Sequence, residues 1–310
     1  MTALAGQVED YLRLRRALGY RLEREERWLT DFCSYLQVAG TTTIGSRLAI
    51  EWAKLPAGAS PAHWAQRLGV VHRFAIWLHT LDPATEIPPT GVFPARRHRA
   101  TPYLFTDDQI RDLLARARAL HPPLRAASLH TLLGLLAVSG MRIGEAVTLR
   151  RDDLDLDTGL ITIRLAKHDR ERLVPLHPTA TAALRRYAAE RDRLCPRPRA
   201  ETFFLSSTGG RLDRSDVGRA FRRITTEAGI RDETTHPRIH DLRHGFALQT
   251  LIRWTRAGLS VDANIAVLST YLGHVAPSDT YWYLSAAPEL MELAAQRLAT
   301  RPRHTAGGAQ

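Results

Sequence analysis

The chain has 310 residues, a hydrophobic fraction of 44% and a charged fraction of 24%, values typical of a soluble globular protein with room for two domains. No apolar run approaches the ~18 residues needed to cross a bilayer, and residues 1–10 lack the pattern of a secretory signal, which excludes membrane and secreted classes. The formal net charge of +11 indicates a polyanionic partner, most simply nucleic acid, with a generally basic surface as the alternative.

The first eighty or so residues carry the spacing of amphipathic helices. Apolar side chains recur at helical intervals over residues 7–38, 46–54 and 60–80, with glycines between the first stretches. These patterns predict a compact all-α domain over residues 1–82.

A proline-rich stretch follows at residues 83–101. Its prolines exclude regular structure, and Arg96, Arg97 and Arg99 form a positive run near its end. The stretch is therefore predicted to be a linker. It is either a solvated hinge or a segment that follows a phosphate backbone, in which case these three arginines are candidate DNA contacts.

A second domain is predicted over residues 102–300. It begins at Thr106 with a capping box, Thr-Asp-Asp-Gln, and continues with an apolar helix at 124–139 that Gly140 ends. Alternating apolar residues over 160–176 flank a charged stretch, which predicts a β-hairpin with a charged tip. The remainder is expected to contain helices at 178–193, 215–228, 240–254, 262–271, 278–284 and 288–299, a strand candidate at 203–205, and a frayed tail at 301–310.

Two scarce residue types narrow the chemistry. Cys33 and Cys195 fall in different predicted domains, so neither a structural disulfide nor a cysteine metal site is expected. Of the 43 basic residues, only Lys54 and Lys167 are lysine. A lysine in the charged hairpin tip is therefore informative about that position.

Two short motifs bring basic side chains to helix ends. In Gly-Met-Arg-Ile-Gly-Glu, Arg142 and Glu145 share one helical face, and a guanidinium braced by a carboxylate forms a rigid fork for phosphate oxygens. In His-Asp-Leu-Arg, His240 and Arg243 can face one ligand. Taken alone, the first motif is better explained by a structural Arg–Glu pair, and pairs like the second occur by chance on many helices.

A row of histidines raises the question of a metal site. His236, His240 and His244 are spaced by four residues, but Pro237 interrupts the first turn and no His-Glu-x-x-His pattern is present. We therefore expect no metal and no cofactor.

The order of the motifs is more specific than any one of them. Arg142, Lys167 in the hairpin, the His-Asp-Leu-Arg motif, His274 in Leu-Gly-His, and Tyr283 nine residues later follow one another over about 140 residues. In this order the chain resembles the tyrosine recombinase, or phage integrase, family. The resemblance implies a mainly α fold: an all-α, SAM-like core-binding domain and an α-rich catalytic domain with a small β-hairpin or sheet.

The resemblance also implies roles for the motif residues. Arg142 and Arg243 would hold the scissile phosphate and neutralise the charge of its pentacoordinate transition state, with Glu145 supporting them. Tyr283 would be the nucleophile, and the resulting 3′-phosphotyrosine bond would conserve the phosphodiester energy for rejoining.

Lysine and histidine would move protons in the same scheme. Lys167 would protonate the leaving 5′-oxygen, a task for which arginine, with a pKa above ~12, is poorly suited. His240 would accept a proton or donate to the phosphate. His274 would hydrogen-bond a non-bridging oxygen and orient the tyrosine.

Some assignments stay open at this point. Tyr281 is a second candidate nucleophile, although the spacing from His274 that the family resemblance implies favours Tyr283, and Tyr271 is interpreted as a core residue. The apolar face of the helix at 288–299 would pack either on its own domain or, as the resemblance suggests, on a neighbouring protomer.

As a family member, the protein would bind double-stranded DNA at an inverted-repeat site, as a dimer on the site and a tetramer in the synapse. It would act for a phage, a transposon or another mobile element in the cytoplasm, at the nucleoid. Two alternatives are a type IB topoisomerase and a DNA-binding accessory protein without catalytic activity. The presence of all six candidate catalytic residues argues against the second.

Overall fold

The chain divides into two compact units, Met1–Ala100 and Thr101–Gln310. A computed structural model describes residues 3–94, 101–164, 171–274 and 278–285. The predictions for the hairpin tip, for Arg96, Arg97 and Arg99, and for residues 288–310 concern residues outside these ranges. None of the helices in the described ranges is long and apolar enough to span a bilayer.

The first unit is helical. It contains α1 (Ala3–Ala17), α2 (Glu23–Val38), α3 (Ser46–Lys54) and α4 (Pro61–His79). Ser60 caps α4 by accepting a hydrogen bond from the backbone N–H of His63, and a proline fills the first helical position. The core is formed by fully buried aromatic and aliphatic side chains, among them Leu29, Phe32, Leu36, Trp52 and Phe74.

The segment after α4 has no helix or strand up to Pro94, but it packs on the first unit. The Glu86 carboxylate accepts a hydrogen bond of 2.7 Å from the backbone N–H of Ser46 at the start of α3. Phe93 is buried in the same core as α3 and α4. The first part of the predicted linker is therefore fixed to the unit that precedes it.

The second unit is α-rich with one small sheet. Its elements are α5 (Asp107–Arg118), α6 (Pro123–Ser139), α7 (Ile143–Ala146), β1 (Leu154–Asp155), β2 (Leu160–Arg164), β3 (Glu171–Pro175), α8 (Pro178–Leu194), α9 (Arg214–Glu227), α10 (His240–Arg256), α11 (Val261–Leu272) and α12 (Ser278–Ser285). The apolar helix α6 lies at the centre of the core, in contact with α5, α8 and α10. The three strands are antiparallel in the order β1-β2-β3.

Local sequence signals account for several of these elements. At the start of α5, the Thr106 hydroxyl accepts a bond from the N–H of Gln109, whose side chain accepts one from the N–H of Thr106, so the predicted capping box is present. The predicted hairpin is confirmed, with Leu160 opposite Pro175 and Arg164 opposite Glu171. The mainly α fold with a small sheet is confirmed as well.

The strand candidate at 203–205 is wrong. In the described structure it has isolated bridges at Thr202 and Leu205 and no ladder between them. Phe203 and Phe204 are buried by ring contacts to Tyr187 of α8, with ring centroids 5.2 Å apart in both pairs. The apolar residues at 203–205 are therefore explained by aromatic packing of a buried loop. A short apolar run of this kind has the same sequence pattern as a buried strand.

Candidate active site

The turn between α6 and α7 places Arg142. Gly140 ends α6 with φ of 60°, and a Cβ at this position would come within 2.5 Å of the Phe246 ring, so only glycine fits. The chain then turns so that Arg142 becomes the residue that caps α7. The same turn directs the Gly140 carbonyl to Arg243, whose Nη1 donates to it at 2.7 Å.

Arg142 is held on two sides and stays accessible. Its Nη1 donates to Glu145 Oε1 at 3.0 Å, and its Nη2 donates to the carbonyl of Gly273 at 2.8 Å. The side chain is 37% exposed. A guanidinium has five N–H donors, so an arginine fixed by these two bonds can still reach a ligand with the rest of its fork.

The C-terminal end of α11 gathers three arginines. Three successive carbonyls, of Tyr271, Leu272 and Gly273, accept hydrogen bonds of 2.9, 2.7 and 2.8 Å from Arg172, Arg243 and Arg142 respectively. The last carbonyls of a helix have no partner within the helix and carry partial negative charge. The helix end therefore serves as an anchor for guanidinium groups that are distant in sequence.

Gly273 makes this approach possible. Its φ is 66°, and a Cβ would lie 2.9 Å from Nη1 of Arg172. A side chain here would be strained by the backbone angle and would displace the arginine. The glycine of the Leu-Gly-His motif thus has a steric function.

Glu145 is the counterion of the cluster. Arg172 donates to both its carboxylate oxygens, at 2.9 and 2.7 Å, and the Glu145 side chain is 11% exposed. Burial alone would raise the pKa of Glu145, but the hydrogen bonds and charge of Arg172, together with the hydrogen bonds from Arg142, lower it overall. The ionised Glu145 carboxylate therefore stabilises the fold at pH values above its pKa in the unfolded chain. This stabilisation is lost as the pH falls through the lower pKa of Glu145 in the folded protein.

Arg243 is buried and fixed. It is 2% exposed, and burial together with the charge of Arg142 lowers its pKa to about 10. It remains protonated at neutral pH. Three guanidiniums against the one carboxylate of Glu145 leave an excess of positive charge, which suits a phosphate anion.

Tyr283 is buried beside these cations. It is 3% exposed, and its hydroxyl and Nδ1 of His244 are 3.0 Å apart. Its ring stacks with that of His274 at an interplanar angle of 17°. It also lies close enough to Arg243 to raise that residue's pKa. Tyr281, the other candidate, is 47% exposed.

The two remaining predicted histidines lie in the same region. Nδ1 of His274 is 2.7 Å from the hydroxyl of Thr280, which is fully buried, so the ring is oriented by α12. His240 begins α10, and its ring meets that of His244 edge-on with centroids 4.6 Å apart. Partial burial and the charge of Arg243 lower the pKa of His240, although the side chain reaches solvent.

The structure thus brings together most of the residues singled out in the sequence, namely Arg142, Glu145, His240, Arg243, His274 and Tyr283. Lys167 lies outside the described residues. Tyr271 is half-buried, and burial raises its pKa to about 12. Within the described ranges, no three His, Cys, Asp or Glu side chains form a group that could hold a metal ion.

Sequence reasoning missed Arg172 and His244. Arg172 lies two residues before the buried Val174 in β3, so strand alternation places both on the inward face of the strand. This alternation is the sequence signal that could have identified Arg172. His244 directly follows Arg243, and its sequence pattern indicates only a possible metal ligand. Its contact with Tyr283 depends on how α12 packs against α10, which no local pattern encodes.

We expect Arg172→Gln to lower the free energy of unfolding by about 3 kcal/mol, because Glu145 would stay buried after losing a bidentate partner. Urea denaturation at pH 7 measures this. Arg223→Gln is the matched control, since Arg223 and Glu227 form an exposed pair on α9 and their loss should change stability by less than about 0.5 kcal/mol. Equal effects of the two substitutions would show that the Arg172 pair is not a buried anchor.

The comparisons with known proteins agree with this geometry. Residues 104–289 match the model of the phage integrase family, a span that includes every motif from Arg142 to Tyr283. The chain belongs to the phage integrase family. An integrase/recombinase designated y4rB of Sinorhizobium fredii is 42% identical, with 97% of this chain and 98% of that protein covered. Tyrosine recombinase XerD of Caulobacter vibrioides is 31% identical over 75% of this chain and 73% of its own length.

Solved structures of recombinases and integrases share the fold. The XerH recombinase bound to palindromic difH DNA covers 88% of this chain and 78% of its own, with a TM-score of 0.61 and 20% identity. The predicted membership of the tyrosine recombinase family is therefore confirmed: the protein is a tyrosine recombinase, an enzyme that cleaves and rejoins DNA.

Proposed function

We propose that this recombinase cuts and rejoins double-stranded DNA at an inverted-repeat site, with Tyr283 as the nucleophile and without a metal ion. The observation that carries the proposal is a buried phenol beside a braced set of arginines. A phosphodiester has two non-bridging oxygens, which share its negative charge and can bind the guanidiniums, and a phosphorus atom that the phenol can attack.

The arginines act on the transition state. Arg243, fixed by the carbonyls of Gly140 and Leu272, and Arg142, fixed by Glu145 and Gly273, present preorganised donors to the non-bridging oxygens. Because their positions are set before DNA binds, little reorganisation is needed as charge develops on phosphorus. His274, oriented by Thr280, adds a further donor on the tyrosine side.

Attack by the phenol forms a 3′-phosphotyrosine bond and expels the 5′-oxygen. Lys167 protonates that oxygen in this proposal, because an ammonium gives up a proton more readily than a guanidinium. His240, at the start of α10 beside Arg243, donates to the phosphate or accepts a proton. The reverse attack by a 5′-hydroxyl restores the strand and the free tyrosine.

The DNA site and the assembly follow from the same scheme. XerH is bound to a palindromic site, which supports an inverted repeat read by two copies of this chain. We propose a dimer on each site and a tetramer in the synapse, with the helix predicted at 288–299 joining neighbours. The basic linker with Arg96, Arg97 and Arg99 follows the phosphate backbone, and the enzyme works at the nucleoid in the cytoplasm for a mobile element.

The test begins with a search of the DNA flanking the gene for inverted repeats around a short spacer, and it then uses a nicked duplex that carries them. After cleavage of such a substrate, the short 5′-hydroxyl strand diffuses away and the covalent complex accumulates. We expect a protein–DNA adduct on a denaturing gel, mapped by peptide mass to Tyr283. DNA binding without any adduct would contradict the proposal and indicate an accessory protein; relaxation of supercoils without a paired site would indicate a topoisomerase.

A further inference from the structure

We propose that His244 is the group that takes the phenolic proton of Tyr283 during strand cleavage and returns it during rejoining. The inference rests on the proposed role of Tyr283 as the nucleophile. It assigns a catalytic task to a histidine that directly follows Arg243 in the chain.

The contact between the two residues has the geometry of proton transfer. Nδ1 of His244 lies 3.0 Å from the phenol oxygen, within the range over which a base abstracts a proton. The two rings are tilted by 59° with centroids 5.4 Å apart, and Tyr283 is 3% exposed. Bulk water therefore has little access to the hydroxyl, and the proton needs an acceptor within the protein.

The surroundings of His244 keep it neutral before DNA binds. The groups that face it are His240, Asp241 and Arg243 on α10, Arg238 before that helix, and Trp282 and Tyr283 on α12. Burial first, then the neighbouring His240 and the two arginines, lower its pKa to about 4, while Asp241 acts in the opposite direction. A neutral imidazole has one ring nitrogen with a lone pair, so it can accept a hydrogen bond from the phenol.

We expect DNA binding to raise the pKa of His244. A phosphate held by Arg142 and Arg243 brings negative charge close to His244 and offsets the arginines that depress its pKa. The imidazole becomes a stronger base when the substrate is in place. Without DNA, His244 is therefore the weaker base for the phenolic proton.

The phenol O–H bond breaks as the oxygen–phosphorus bond forms, and the proton moves to Nδ1 of His244. The bond from phosphorus to the 5′-oxygen breaks, and that oxygen takes a proton from Lys167 in the proposed scheme. In rejoining, the 5′-hydroxyl attacks phosphorus, the phenol oxygen leaves, and it recovers the proton from the imidazolium.

The test separates proton acceptance from mere orientation of the tyrosine. His244→Asn places an amide near the position of Nδ1, so it can hydrogen-bond the phenol but cannot accept a proton. We expect the single-turnover rate of adduct formation to fall about 100-fold, and the decline of the wild-type rate at acid pH to disappear. His244→Ala should lose at least as much, and added imidazole should restore part of the rate.

A substrate with a 5′-bridging sulfur strengthens the assignment. A thiolate leaves without a proton, so this substrate removes the need for a general acid but not for a base. We expect it to leave the defect of His244→Asn unchanged. The matched control is His236→Asn, an exposed histidine in the segment before α10, which should keep the wild-type rate and pH profile.

Two results would overturn the inference. One is a His244→Asn variant with a rate within about threefold of wild type and an unchanged pH profile. The other, decisive if the Asn variant does not fold, is a folded His244→Ala variant whose rate does not rise with imidazole. If the wild-type adduct formed on a residue other than Tyr283, the assignment of Tyr283 as the nucleophile would be wrong as well. The two results above contradict only the role of His244.

Discussion

Tyr283→Phe should abolish the covalent adduct, with cleavage reduced by roughly 10⁴-fold or more, because the substitution removes the attacking oxygen and nothing else. Phenylalanine fills the same buried space, so the cost to stability is limited to the lost hydrogen bond with His244, about 1 kcal/mol. DNA affinity should be unchanged. Denaturing gels on the nicked substrate measure the adduct, and a native gel shift measures binding.

Tyr281→Phe is the matched control on the same helix. Tyr281 is 47% exposed, whereas Tyr283 is 3% exposed and contacts His244 and His274. Cleavage by this variant should equal that of wild type. If Tyr281→Phe removed the adduct and Tyr283→Phe did not, α12 would have to turn on DNA binding, and the assignment of the nucleophile would be wrong.

Much of the fold could be predicted because its signals are local. The capping box at Thr106, the glycine that ends α6 and the alternation in β2 and β3 each depend on residues a few positions apart. The pairing of Arg142 with Glu145 is of the same kind, since the two lie three residues apart around one short helix. The order of such motifs was sufficient to identify the family.

The way the site is held together could not be predicted, because it depends on tertiary packing. Arg142 bonds a carbonyl 131 residues away, and Arg172 bonds one 99 residues away, both at the end of α11. No periodicity reports that a helix end will serve as an acceptor for distant guanidiniums. The same holds for His244, whose partner is 39 residues further along the chain. The roles of Lys167 and of the linker arginines stay predictions.

Arg243 supports the fold as well as the chemistry, because it is 2% exposed and satisfies the carbonyls of Gly140 and Leu272. Its removal would leave buried acceptors without donors, at a cost of about 1–3 kcal/mol each. Loss of activity in an Arg243 variant would therefore be hard to separate from unfolding. Arg142 is the better probe, since its side chain is partly exposed.

Arg142→Lys should lower the rate of adduct formation by about 10²–10³-fold while DNA affinity falls less than about threefold. Lysine keeps the positive charge but has no fork, so it cannot bond Glu145, the carbonyl of Gly273 and a phosphate oxygen in one fixed geometry. Single-turnover cleavage of the nicked substrate gives the rate, and titration in a native gel gives the affinity.

A second substitution shows whether the rate depends on the guanidinium of Arg142 in particular or on positive charge in general. Arg223→Lys changes an exposed arginine on α9 that pairs with Glu227, and it should alter neither rate nor affinity. Glu145 remains paired with Arg172 in the Arg142→Lys protein. The free energy of unfolding of this variant should therefore stay close to that of wild type. If Arg142→Lys weakened binding and cleavage by the same factor, the residue would hold the DNA in its ground state, and the transition-state role assigned to it would be wrong.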